Sequence, residues 1–112
     1  MKALAVAEEY GDRRLILFAS TYLSEIALRL ADLPEAWRRA ETAERYSREV
    51  GDRGSQAEVL MMMGDILARR RFPEEAGRRY RAARMAYAAM GDEPAAQKAA
   101  KKLDELALQA AN

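Results

Sequence analysis

The sequence predicts an all-α fold of stacked antiparallel helical hairpins. Three observations predict it. The 112-residue chain is rich in Ala, Leu, Arg, Glu and Met and poor in Val, Ile and Thr. Unbranched side chains lose little rotamer freedom in a helix, so this composition favours helix over strand. Apolar residues recur at three- and four-residue spacing, which lays them on one helical face. A Gly-Asp pair returns at 11, 51 and 91, and a fixed period of this length marks an internal repeat. The length suits one domain, and the 50% hydrophobic content is enough for a core.

The repeat divides the chain into the end of one unit (1–10), two full units (11–50 and 51–90) and a terminal helix (91–112). Ala3, Ala43 and Ala83 fall in register. Residues 1–10 are expected to form a helix whose Leu4, Val6 or Tyr10 helps cover the first hairpin. The first unit opens with a helix over 13–30, where Leu15, Phe18, Ala19, Tyr22, Leu23, Ile26, Ala27 and Leu30 are spaced as one apolar face. "ADLPEA" at 31–36 interrupts it, and Pro34 suits the first turn of the next helix, where no N–H is needed. "RRFPEEA" at 70–76 does the same in the second unit with Pro73, shifted by one. Each second helix runs to about Val50 or Met90. Aligned without gaps, 11–50 and 51–90 share identities that include Gly11/Gly51, Asp12/Asp52, Glu35/Glu75, Ala36/Ala76 and Ala43/Ala83. Gly11, Gly51 and Gly91 each follow a helix, where a left-handed residue stops the chain. Asp12, Asp52 and Asp92 then cap the next helix. Gly-Asp is thus a stop-and-restart signal, and a catalytic reading of it has little support.

Nineteen basic and 18 acidic residues give a net charge of +1. That balance disfavours bulk attraction to nucleic acid or anionic lipid. No Cys or His is present, which excludes disulfides and the usual thiolate or imidazole metal sites. Ser–His and Cys–His catalysis are excluded as well, and the scattered glycines form no phosphate loop. No enzyme, cofactor or metal is expected. The apolar run "ALAVA" is too short for a signal peptide. "LILFASTYLS" at 15–24 is about half a membrane span.

These residues resemble tetratricopeptide repeats over nearly the whole chain. Leu60, Met63, Gly64 and Leu67 take the first-helix apolar and Gly positions of the second unit. Ala76, Tyr80 and Ala83, preceded by "PEEA", match its second helix. Ser20, Leu23, Ser24, Ala27, Ala36, Ala40 and Ala43 correspond in the first unit. The forty-residue unit is longer than the usual length of about 34. It is similar to the long-helix variety of kinesin light chains and bacterial regulators. The signature Trp is replaced by Ser20 and Leu60, and Asp104 stands where Ser24 and Gly64 stand in the full units. The last helix, with Lys101, Lys102, Asp104, Glu105 and Gln109, reads as a polar lid.

The resemblance implies an α-solenoid and a protein–protein interaction module, set within a larger cytoplasmic regulatory protein. The implied partner is a peptide or helix on a concave face formed by Phe18, Thr21, Tyr22, Glu25, Arg29, Glu58, Met61, Met62, Asp65, Arg69, Lys98, Lys101 and Glu105. The carboxylates Glu25, Asp65 and Glu105 recur at forty-residue spacing. They bias that face toward cationic or amphipathic segments, and they argue against the family's clamp for a peptide carboxylate. The blander account pairs Glu25 with Arg29 and Asp65 with Arg69 along one helix. Met63 is expected in the core, with Met61 and Met62 toward the inner face. A structural alternative is a segment that self-associates weakly through its N-terminal end. A third reading, nucleic-acid binding through "RRR" at 69–71 and "RRYR" at 78–81, is offset by Glu74 and Glu75.

Overall fold

The computed structural model describes residues 11–111. It contains five helices: α1 (Arg13–Arg29), α2 (Leu33–Val50), α3 (Arg53–Arg69), α4 (Pro73–Ala89) and α5 (Glu93–Ala111). There is no strand among the described residues. The helix end expected at 1–10, with Leu4, Val6 and Tyr10, lies outside them. Helices α1 and α3 are displaced by forty residues at both ends.

The turns carry out the stop-and-restart chemistry read from Gly-Asp. Gly11, Gly51 and Gly91 all adopt positive φ, at 69°, 76° and 78°. The Oδ1 atoms of Asp12, Asp52 and Asp92 accept from the amides of Leu15, Ser55 and Ala95 at 3.0, 3.0 and 3.2 Å. Each bond satisfies one of the amides that a helix start leaves free. The turns inside each unit were not legible as left-handed. Ala31 and Arg71, also forty residues apart, adopt φ 60° and 66°. Their conformation is held by bonds across the helix end, from the amide of Asp32 to the carbonyl of Ala27 (2.8 Å) and from Phe72 to Leu67 (2.9 Å). This closure consumes carbonyls that would otherwise face nothing.

Consecutive helices pack against one another in sequence order. The molecule measures 48 × 32 × 18 Å, and its short dimension fits two layers of helices about 10 Å across. Side chains tie alternate helices together. Arg69 on α3 donates to the carbonyl of Leu28 on α1, Lys102 on α5 reaches Asp65 on α3, and Arg79 on α4 reaches Glu44 on α2. The main core joins Leu17 and Ala27 of α1, Ala36, Ala40 and Ala43 of α2, and Val59, Met62, Met63 and Ile66 of α3. The central α3 is buried on most sides, so its apolar residues do not form one stripe.

The apolar face expected for α1 is corrected. Its buried residues are Ile16, Leu17, Ser20, Ser24 and Ala27, whereas Leu15, Phe18, Tyr22 and Leu30 are exposed. Two serines serve as small core residues because α2 approaches closely. Ser24 Oγ donates to the carbonyl of Ala36 at 2.7 Å. The equivalent position in the second unit is Gly64, and there the space is taken by the Tyr80 ring. The position aligned with Tyr80 in the first unit is Ala40, so the unit with the larger α4 residue has the smaller α3 residue, Gly64, where the first unit has Ser24.

Candidate functional site

Because the inward side of α1 is filled by Ile16, Leu17, Ser20 and Ser24, its aromatic residues are left outside. Phe18 is 56% and Tyr22 60% exposed. Glu25 lies further along the same helix and is half-buried. From α3, Glu58 comes close enough to feel the Glu25 charge. Glu58 is exposed, but the helices around it remove part of its water, so its carboxyl is pushed above the ordinary range, first by that partial desolvation and then by Glu25 and Asp52. Neither Glu25 nor Glu58 makes an ion pair among the described residues. The negative field extends onto α4, where burial raises the Tyr87 phenol and Glu58 and Asp92 raise it further. Aromatic faces beside carboxylates that lack counter-ions attract a cation carried on an apolar scaffold.

Asp65 plays a different part. Its Oδ1 accepts from Tyr80 Oη at 2.6 Å and from Lys102 Nζ at 2.8 Å. The Tyr80 phenol is pushed up by burial, by this hydrogen bond, and by the charges of Asp65 and Glu105, so it remains the donor. These groups and Arg69, Glu105 and Leu28 line a depression of about 330 Å³. Asp65 is thus a structural bridge between α3, α4 and α5. The pairs expected within single helices, Asp65 with Arg69 and Glu25 with Arg29, are not formed. Arg69 is drawn instead to the Leu28 carbonyl at the end of α1, which also accepts the amide of Ala31, and Asp65 finds its donors across the helix interface in Tyr80 and Lys102.

The remaining candidates divide by depth. Arg29, Lys98, Lys101 and Glu105 are exposed, and Thr21 is half-buried with its hydroxyl bonded to the carbonyl of Leu17. Met62 is corrected to a core residue, only 6% exposed, because α1 covers the face of α3 that carries it. Met61 is half-buried and packs on the cluster of Leu67, Ala76 and Tyr80. Met63 is buried as expected. Sequence reasoning missed the role of Lys102. Its position, forty residues from Met62 and eighty from Tyr22, was the available signal.

Among the described residues, no group of three or more metal-ligating side chains is placed to hold an ion, and no helix is long and apolar enough to cross a membrane. Comparison with family models, curated proteins and solved structures found no match in any of the three.

Proposed function

We propose that this chain is a tetratricopeptide-like repeat module that binds a cationic, amphipathic segment of a partner protein. The forty-residue return of helix bounds and left-handed turns supports the repeat architecture. One observation carries the binding surface: exposed Phe18 and Tyr22 lie on the same helix as Glu25, whose charge acts on Glu58, and neither carboxylate has a counter-ion among the described residues. The aromatic rings supply apolar area, and the carboxylates select the sign of the partner.

Screening a library of amphipathic peptides tests this reading. Lys- and Arg-bearing members should be retained by the wild type and lost by Glu25→Lys/Glu58→Lys and by Phe18→Ala/Tyr22→Ala, with helicity unchanged in both. Asp65 is a poor test position because its removal breaks the contacts to Tyr80 and Lys102. Retention of the same peptides by both variants, with loss in Arg38→Glu/Arg78→Glu, would place binding on the opposite layer.

A further inference from the structure

We infer that the groove between α4 and α5 docks an amphipathic helix whose carboxylates face α4. The molecule itself shows what such a groove receives. One repeat earlier, α4 lies against both α2 and α3. Its Ala76 and Tyr80 pack with Leu67 of α3 and with Trp37 of α2, and its Arg79 sits over the Trp37 ring at 5.8 Å. The Arg79 guanidinium pairs with Glu44 of α2 at 3.0 Å. An incoming cation thus meets an anionic rim.

Forty residues on, the groove remains but its rim is reversed. Position 37 becomes Gly77, and positions 41 and 44, both Glu, become Arg81 and Arg84. Without the indole, Gly77, Leu103, Leu106, Ala107 and Ala110 border an opening of about 550 Å³ that also meets Arg78 and Arg81. Arg81 Nη1 lies 3.3 Å from where a Gly77 Cβ would stand, so its charge overhangs the apolar floor. Arg78, Arg81 and Arg84 form no ion pair among the described residues. Where Glu44 selects Arg79, Arg81 and Arg84 select a carboxylate. Asp104 is exposed on the α5 side and Glu74 borders one end, so the complementary helix is acidic on one edge only.

Two labelled helical peptides test the inference, with the same apolar face and either Glu or Lys along the edge meant for α4. Fluorescence anisotropy with the full chain should show the Glu peptide binding about tenfold tighter, the size expected from two partly exposed charge pairs and relief of repulsion. Arg81→Glu/Arg84→Glu should reverse that order. Gly77→Trp, which restores the residue of the first unit, should fill the groove and abolish binding of both. Equal affinities, no binding of either peptide, or an unreversed order in the double variant would overturn the inference. So would undiminished binding by folded Gly77→Trp.

Discussion

Ser20 is fully buried, and its hydroxyl has no hydrogen-bond partner. An unmet buried hydroxyl loses its water without replacement. Ser20→Ala should therefore raise stability by about 1 kcal/mol, read as a higher urea midpoint with unchanged slope. Gly64 lies at the opposite extreme. A Cβ there would stand 2.6 Å from Tyr80 Cε1, and Tyr80 is held by its bond to Asp65. The ring cannot turn away without breaking that bond. Gly64→Ala should lose about 1–2 kcal/mol despite the better helix propensity of Ala, because overpacking exceeds the propensity gain. Adding Tyr80→Ala, which supplies the residue aligned in the first unit, Ala40, should make the effect of Gly64→Ala smaller or favourable in a double-mutant cycle. An unchanged Gly64→Ala effect in the two backgrounds would separate it from the ring.

At the scale of the helix and turn, two kinds of left-handed stop make opposite predictions. Gly51 has open space where a Cβ would stand, so Gly51→Ala meets conformational strain alone. It should destabilise by roughly 1 kcal/mol. Ala31 already bears that strain at φ 60°. Ala31→Gly should stabilise by about 0.5 kcal/mol, the left-handed penalty less the extra unfolded-state freedom of Gly. Thermal unfolding of the two single variants should show midpoints moving in opposite directions. The sequence made the Gly-Asp turns legible because both residue types have a specific conformational use there. It hid the turns at Ala31 and Arg71 because neither side chain favours positive φ. Their closure is imposed by hydrogen bonds across the helix ends. The inward face of α1 was hidden for a related reason: Ser20 and Ser24 look polar in a periodicity reading but are used for their size. Met62 and Tyr22 occupy equivalent positions with opposite burial, since α1 covers α3 and no other described helix covers that side of α1.

Across the whole molecule, charges separate into those that fasten helices and those left without partners. Asp65, Lys102, Arg79 and Glu44 fasten. Glu25 and Glu58 oppose each other. Because the Glu58 carboxyl is raised in the folded chain, folding favours its protonated form. That favourable contribution is complete below the unfolded-state value and is lost as pH rises through the folded-state value. At neutral pH the ionised carboxylate is a small cost, reduced by the water that still reaches it. Glu58→Gln should then stabilise modestly at pH 7 and leave stability nearly unchanged in strong acid, as chemical denaturation at both pH values would register. A cation docked beside Glu58 should reverse the upward shift, since opposite charge favours the ionised form. Carboxyl NMR titration of Glu58, with and without a Lys-bearing amphipathic peptide selected by the wild type, measures this directly. The expected result is a raised pKa in the free chain that falls on binding and stays raised with a charge-neutral version of the peptide. A Glu58 pKa that the bound cationic peptide leaves unmoved would contradict the proposed surface.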